Sequence, residues 1–248
     1  MEKNDKKNLF ALIGKNISYS FSRAYFSKKF QEEGINAEYV NFDLMTLEEL
    51  PSRVAMHPNL KGMNVTIPYK EAIISKLAAL NETAKIIGAV NTIKVTPLGW
   101  IGFNTDYYGF SESIKPFLKP HHTKALILGT GGASKAVAYA LKTLNISYLF
   151  VSRTPKIGQY AYTDLSADVL SKYTIIINCT PLGTFPNVTD CPPIAYQHIT
   201  SQHLLYDLIY NPEKTLFLQK GEQKKATICN GEAMLRLQAE KAWEIWNS

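Results

Sequence analysis

The chain of 248 residues is long enough for one or two domains at roughly 150 residues each. Its 46% hydrophobic and 19% charged content, with 14 Gly and 12 Pro, excludes a disordered, collagen-like or low-complexity chain. The net charge of +6, from 27 basic and 21 acidic residues dispersed along the chain, favours an anionic small molecule over a nucleic-acid partner, which needs concentrated charge. The opening at 1–7 is polar and does not read as a secretory signal. Residues 9–13 read as an apolar strand ending at Gly14. A helix is predicted over 23–33, closed by Gly34. A strand follows over 37–42 and a helix over 47–54. The pattern then predicts an alternating strand over 63–67, stopped by Pro68, a helix over 70–80 and a strand over 89–95. Strands alternating with helices imply an α/β layer.

A second regime runs from about residue 106 to 230. A strand at 124–128 enters Gly129-Thr130-Gly131-Gly132, and a helix is predicted over 133–144. Further strands are predicted at 147–151, 174–178, 204–208 and 226–229. Continuous apolar strands joined by helical crossovers mean a parallel sheet covered on both faces. An amphipathic helix over 232–246 ends the chain. No run of about 18 apolar residues is present for a membrane span. Cys179, Cys191 and Cys229 are too few and scattered for a disulfide framework or a zinc pair. The expectation is a cytoplasmic protein with reduced thiols, no metal and no membrane partner.

The strand–glycine–helix unit is the first chemical signal. Gly129, Gly131 and Gly132, followed by Ala133, let backbone N–H groups approach a pyrophosphate at a helix N-terminus. The third glycine of the strict pattern is Ser134, so the loop alone reads equally as a tight turn. About 20 residues on, an NAD site carries an acid for the ribose 2′-hydroxyl. Here the chain reads Ser152-Arg153-Thr154-Pro155-Lys156, with two bases and no acid. Arg153 and Lys156 suit a 2′-phosphate, hence NADP(H) over NAD; a solvated turn is the other reading. The segment Asn178-Cys179-Thr180-Pro181-Leu182-Gly183, after the third strand of this regime, is either a nicotinamide-ribose contact, with Thr180 the candidate, or a simple turn.

The first regime carries polar residues where packing does not require them. Ser20 and Ser22 stand between a strand and a helix, and Ser22 also reads as an N-cap. Asn64 and Thr66 share one strand face, with Lys70 beyond its end. Asn91 ends an apolar run, and Asn104 and Asp106 are placed to cap the next helix. Gln238 lies one turn after Met234 and one turn before Ala242; it is either a ligand for a hydroxyl or a solvent-edge glutamine.

In order, Ser-x-Ser (20–22), Asn-Val-Thr-Ile-Pro-Tyr-Lys (64–70), Gly-Ala-Val-Asn-Thr (88–92), Asn-Thr-Asp (104–106), Gly-x-Gly-Gly-Ala-Ser (129–134) and Ser-Arg-Thr (152–154) resemble the shikimate dehydrogenase family. The resemblance runs from Leu12 to Trp246. It implies an NADP-dependent oxidoreductase that reduces 3-dehydroshikimate to shikimate in aromatic amino-acid (chorismate) biosynthesis. It implies Lys70 and Asp106 as the catalytic pair, and Ser20 and Ser22 as the carboxylate site. Asn64, Thr66, Asn91, Asp106 and Gln238 match the ring-hydroxyl binders, Tyr210 lines the site, and Met234 matches a residue near the nicotinamide. The cofactor residues implied are Gly129, Gly131, Gly132, Ala133, Ser152, Arg153, Thr154, Lys156 and Thr180.

The residue types agree with that chemistry. A polyhydroxylated acid needs many neutral hydrogen-bonding groups and a carboxylate site. The alkoxide left by hydride delivery needs a proton, which an ammonium such as Lys70 supplies. The fold expected is a substrate-binding α/β domain (1–104 and 233–248) plus a doubly wound Rossmann-like parallel-sheet NADP-binding domain (105–232). The C-terminal helix returns to the first domain, and a cleft between the two closes over substrate. The protein is expected as a monomer or homodimer. Five positions depart from the family: Tyr19 replaces His, Arg23 and Asn16 replace Pro, Ser152 replaces Asn, and Thr184 replaces Met. The short stretch between Arg153 and Ile175 leaves room for one brief helix. Arg23 beside the carboxylate site is expected to strengthen anion binding. A quinate/shikimate dehydrogenase of broader specificity and a non-catalytic metabolite-sensing module are the rival readings.

Overall fold

The computed structural model describes residues 7–18 and 20–248, so the opening at 1–6 and Tyr19 lie outside the described residues. The chain divides into two units, Met1–Thr105 with Ala239–Ser248, and Asp106–Gln238. Both carry six-stranded sheets, as the α/β patterning requires.

The first unit opens with β1 (Asn8–Gly14), whose apolar run is buried on both faces. Helix α1 (Phe21–Glu32) starts at the N-cap Ser20, whose hydroxyl accepts from the Arg23 N–H at 3.3 Å. It stops before Gly34, which adopts φ +63°. Next come β2 (Ala37–Asp43), α2 (Leu50–Ala55), β3 (Leu60–Val65), β4 (Ala79–Leu80), α3 (Glu82–Ile87), β5 (Thr92–Thr96) and β6 (Gly99–Phe103). The sheet order is β2-β1-β3-β5-β6-β4. The first three strands are mutually parallel, β3-β5-β6 is antiparallel, and β4 runs parallel to β6.

The helix expected over 70–80 is absent. A five-residue 3-10 turn (Ala72–Lys76) is followed by strand β4. The backbone there bonds to a neighbour rather than to itself: Ala78 N–H donates to Trp100 O at 2.9 Å, and Asn81 N–H to Gly102 O at 2.8 Å. Gly102 permits the close approach, since a Cβ there would lie 2.5 Å from Leu77 Cδ1 and 2.9 Å from Leu80 Cδ2. Helix α3 was not expected, although Asn81 caps its start, accepting from Thr83 N–H at 3.0 Å, and Gly88 closes it at φ +70°. The strand expected over 89–95 begins at Thr92, and the one over 63–67 ends at Val65. Strand β6 was also unforeseen.

The second unit runs α4 (Asp106–Ile114), β7 (Lys124–Leu128), α5 (Gly132–Thr143), β8 (Ser147–Ser152), β9 (Tyr160–Ala161), α6 (Ala167–Lys172), β10 (Ile175–Asn178), β11 (Leu204–Asp207), α7 (Leu216–Gln223), β12 (Thr227–Cys229) and the start of α8 (Glu232–Asn247). Its sheet is wholly parallel, in the order β12-β11-β10-β7-β8-β9. The strand order reverses between β7 and β10, where open α/β sheets bind ligands. On β7, Ala125 and Ile127 enter one core with Phe110, Val137 and Leu141, while Leu126 and Leu128 enter the other with Leu170, Leu205 and Phe217. Each fully buried Leu or Ile side chain among them contributes about 1.5–3 kcal/mol. Burial on both faces is why these strands read as unbroken apolar runs.

The chain from Ala239 to Ser248, which carries the rest of α8, completes the first unit. Trp246 stacks on Phe10 with ring centroids 4.7 Å apart and donates its indole N–H to Ile93 O at 3.0 Å. Only glycine fits at position 62, because a Cβ there would lie 2.3 Å from the Trp246 ring. Among the described residues no helix is long and apolar enough to cross a membrane.

Candidate functional site

Tyr39, Asn64, Asn91, Thr92 and Thr105 of the first unit form one buried network. Asn64 is the fifth residue of β3, where the sheet covers it to 5% exposure. Its Oδ1 accepts from the Tyr39 hydroxyl at 2.8 Å, and its Nδ2 donates to Asn91 O and Thr92 Oγ1, both at 3.2 Å. These bonds leave one lone pair of Oδ1 for a further donor. Asn91, 2% exposed, receives the Thr105 N–H on its Oδ1 at 2.6 Å and donates from Nδ2 to Thr105 Oγ1 at 3.0 Å. Thr92 Oγ1 donates to the same Oδ1 at 3.2 Å. Asn104 holds the neighbouring turn by donating to Ala89 O at 2.9 Å. Burying so many amides and hydroxyls is tolerable only because each is bonded.

Lys70 is half-buried beyond the end of β3, and its carbonyl accepts from Val90 N–H at 2.7 Å. That bond ties it to the turn carrying Asn91. Thr66 lies one residue past β3, but its N–H still bonds Ile13 O at 2.8 Å. Asp106 follows Thr105 directly and opens α4, nearly buried. A carboxylate suits that helix start. Ser20 and Ser22 flank Phe21 at the start of α1, both half-buried. Ser20 accepts from Arg23 N–H, which leaves its own proton for a ligand. Arg23 itself is exposed.

Tyr39, Thr92 and Thr105 belong to this network and were missed from sequence. The two threonines sit inside the quoted Asn-Thr and Asn-Thr-Asp segments. Tyr39 had only the signal of a tyrosine on the buried face of an alternating strand, where its hydroxyl needs a partner. Burial pushes its phenol well above the usual range, so it stays a protonated donor.

In the second unit the glycine turn leaves β7 at the switch point. Gly129 adopts φ +102°, a conformation that side chains disfavour. Gly131 is the N-cap of the twelve-residue α5; no side chain caps it, and a Cβ there would meet nothing within 4 Å. An open helix start with free space before it, from Gly131 through Gly132 and Ala133, fits a pyrophosphate. At the end of β8, Ser152 Oγ accepts from Thr154 N–H at 3.2 Å, and Arg153, Thr154 and Lys156 are exposed. The Arg153 charge reaches Tyr162, opposing the rise that burial causes in its phenol. This donor set, cationic and without an acid, fits a 2′-phosphate.

Thr180 has a more local part to play than its sequence position suggested. Its Oγ1 and N–H both donate to Asn178 Oδ1, at 2.6 and 3.0 Å. Asn178 in turn donates to Asp207 Oδ1 at 3.0 Å, and Asp207 also accepts from Ile209 N–H at 3.1 Å and Thr215 Oγ1 at 2.6 Å. Asn178 and Asp207 end adjacent strands and are wholly buried; the sequence offers Asn178 only as part of the 178–183 segment and offers no role for Asp207. Burial raises the Asp207 carboxyl to about 6, although all three hydrogen bonds act downward. Burial likewise raises the Cys179 thiol, and the Cys229 thiol to about 11, so neither is a ready nucleophile.

Met234 and Gln238 lie on the part of α8 that belongs to this second unit. Met234 is 6% exposed and packs with Phe110, Ile127 and Tyr206. Gln238 is buried too, on the stripe facing α4, and Gly109 allows the approach: a Cβ there would lie 2.5 Å from Met234 O. Tyr210 is half-buried just past β11. Among the described residues no group of three or more His, Cys, Asp or Glu is arranged to hold a metal.

A parallel sheet of this order, with an open glycine turn at its switch point, defines a dinucleotide-binding protein of the doubly wound class. The family model for the shikimate dehydrogenase substrate-binding domain matches residues 12–93. An NADP(+) shikimate dehydrogenase of Clostridium botulinum is 37% identical over 245 residues, 95% of each chain. A crystal structure of a chorismate mutase/shikimate 5-dehydrogenase fusion protein from Clostridium acetobutylicum is similar at TM-score 0.88 and 34% identity, over 97% of this chain and 91% of that one. The Thermus thermophilus shikimate 5-dehydrogenase in complex with NADP(H) and shikimate is similar at TM-score 0.85 and 30% identity, over 96% and 92%. The chain belongs to the shikimate dehydrogenase family.

Proposed function

We propose that this protein is an NADP(H)-dependent oxidoreductase interconverting 3-dehydroshikimate and shikimate in chorismate biosynthesis. The observation that carries the reading is the buried set of neutral donors and acceptors around Asn64, Asn91 and Thr105, in a chain matching an NADP(+) shikimate dehydrogenase over 95% of its length. Such a set suits a ring bearing several hydroxyls and would be an expensive way to line an apolar pocket. Most substrate residues belong to the first unit, with Asp106, Tyr210 and Gln238 supplied by the second, and the dinucleotide residues belong to the second.

When bound, NADPH supplies the hydride for the ketone carbon, and NADP+ accepts it in the reverse direction. The rest falls to side chains of this chain. As the C–H bond forms, the carbonyl oxygen gains charge, and the Lys70 ammonium gives it a proton, leaving a hydroxyl and a neutral amine. In the reverse direction the amine takes that proton back. Asp106 accepts from a substrate hydroxyl, and Ser20 and Ser22 donate to the substrate carboxylate. Asn64, Thr66, Asn91 and Gln238 orient the remaining hydroxyls, with Tyr210 lining the site. Gly129, Gly131, Gly132 and Ala133 receive the pyrophosphate. Ser152, Arg153, Thr154 and Lys156 receive the 2′-phosphate. Thr180 and Met234 shape the nicotinamide end, and the Asn178–Asp207 bond keeps the Thr180 turn closed. The protein works as a monomer or homodimer in the cytoplasm.

The test is NADPH absorbance in the near ultraviolet, with purified protein, shikimate and NADP+, run beside quinate and NAD+. Reduction of NADP+ with shikimate is expected. Equal rates with quinate would move the protein to the broader quinate/shikimate class, and silence in every combination would overturn the enzymatic reading.

A further inference from the structure

Ser20 and Ser22 stand at the start of α1, and the chain reaches them from β1 through a short turn. Asp43, a residue with no role above, holds that turn. It ends β2 and lies in register with Gly14, the end of β1. The chain leaving Gly14 passes over the end of β2, and two successive backbone N–H groups bond the Asp43 carboxylate. Asn16 N–H donates to Oδ1 at 2.8 Å and Ile17 N–H to Oδ2 at 3.2 Å. Asn16 adopts φ +57°, the left-handed conformation that Asn tolerates better than most side chains. Such a turn makes a concave pair of N–H groups that suits an anion, and here the chain supplies its own. Two residues back along β2, Asn41 Nδ2 donates to Ile17 O at 2.6 Å. Ile17 is therefore bonded at its N–H and at its carbonyl, and its side chain is buried in one core cluster with Phe26 of α1. Gly14 lets the turn close, since a Cβ there would lie 2.6 Å from Ile17 Cγ2 and from Thr66 Cγ2. The proline that Asn16 replaces has no N–H for Oδ1, and its ring holds φ near about −65°.

We infer that Asp43 is a positioning residue for substrate recognition, clamping the chain three residues before Ser20 through the N–H groups of Asn16 and Ile17. This rests on the reading of Ser20 and Ser22 as donors to the substrate carboxylate. The two serines lie between two fixed points, Ile17 on one side and Phe26 on the other. Hydrogen bonds to an ionised acceptor are the stronger kind, so one exposed side chain suffices to hold the turn. Without Asp43 both N–H groups turn to water, and the segment after Gly14 has more conformations to lose when a carboxylate binds. The cofactor residues belong to the second unit, so the loss falls on substrate affinity. The sign separates the clamp from a simple charge effect. A carboxylate acting by its charge alone would repel the substrate's own, and removing it would tighten binding; removing the clamp weakens it.

The test is steady-state kinetics on the purified full chain. Asp43→Ala removes both acceptors and is expected to raise KM for shikimate about five- to tenfold, with kcat and KM for NADP+ within about twofold. Asp43→Asn keeps one acceptor oxygen and is expected to fall between that variant and the wild type. Asn16→Gly keeps the N–H and the left-handed turn, and its KM is expected to stay within about twofold. Asn16→Pro removes both and is expected to raise KM for shikimate about threefold or more. In the Asn16→Pro background Asp43→Ala is expected to have at most half its effect on a logarithmic scale, because one of the two groups it acts through is gone. An unchanged or lowered KM for shikimate in Asp43→Ala, or equal losses in kcat and in both KM values, would overturn the inference. So would full additivity with Asn16→Pro. If Asp43→Ala does not fold, Asp43→Asn carries the test, and an unchanged KM for shikimate there overturns the inference. A folded wild type inert toward shikimate overturns the proposed function and this inference together, whereas an active wild type with indifferent Asp43 variants overturns this inference only.

Discussion

The two sheets have six strands each but keep their polar groups in different places. In the first unit amides and hydroxyls sit in the sheet layer itself: Asn64 on β3, Tyr39 on β2, Thr92 opening β5. In the second the layer is apolar apart from a Ser113–Tyr206 pair at 2.7 Å, and the polar side chains gather at strand ends. Asn178 and Asp207 are each the last residue of their strand. The difference follows from what each unit binds in the proposed function. A dinucleotide can be held by backbone N–H groups and a helix start, which any parallel sheet with a glycine turn provides. A small polyol needs side-chain donors and acceptors on several sides, so its unit must bury them and satisfy them with one another.

The sharpest way to break the comparison is Lys70→Ala. In the proposed function Lys70 supplies the proton, so kcat is expected to fall by about a hundred- to ten-thousandfold, with KM for NADP+ unmoved, in steady-state kinetics. Next comes Asn91→Ala, which strands the Thr105 N–H and Asn64's network partners in the core. A loss of about 2–4 kcal/mol of stability is expected by urea unfolding, together with activity. The counterpart in the second unit is Arg153→Ala, on an exposed loop. There stability is expected to change by less than about 0.5 kcal/mol, while KM for NADP+ rises roughly tenfold against an unchanged KM for NAD+.

Two pH effects sharpen the picture within the second unit. Asp207 is raised from 3.8 to about 6 by burial, so the folded state binds its proton more tightly than the unfolded chain does. Stability from this group is therefore present below about pH 4 and is lost as pH rises through 6, by up to about 3 kcal/mol. Urea midpoints measured from pH 4 to 7 are expected to lose that component in Asp207→Asn. At the other end of the same sheet, His122 and His203 are held neutral. Each accepts a backbone N–H on Nδ1, from Lys119 and Thr200, and burial lowers both below 6.5. Their stability is present above pH 6.5 and falls away as pH drops below it, the opposite sign. This is the smaller effect, and His203→Gln is expected to flatten the slope of the urea midpoint between pH 7 and 5.

Much of the second unit was legible in the sequence because its information is local. An apolar run, a glycine turn and a helical stripe each occupy a few consecutive residues, and β7, α5, β10 and β11 fell within a residue or two of their expected bounds. The doubly wound sheet and the NADP class followed from those pieces. In the first unit the motifs located the candidate residues, but periodicity failed at 70–80, where the backbone bonds of 78 and 81 go to residues more than 20 positions away. The tertiary structure alone decided that Tyr39 meets Asn64 across 25 positions of chain, and that Asp207 meets Asn178 across 29. It also placed Met234 in the second unit's core and turned the Thr180 hydroxyl toward Asn178. Spacing along a chain encodes which face of an element a residue occupies; which distant group lies opposite it is set by strand order and register, and these come from how whole elements pack.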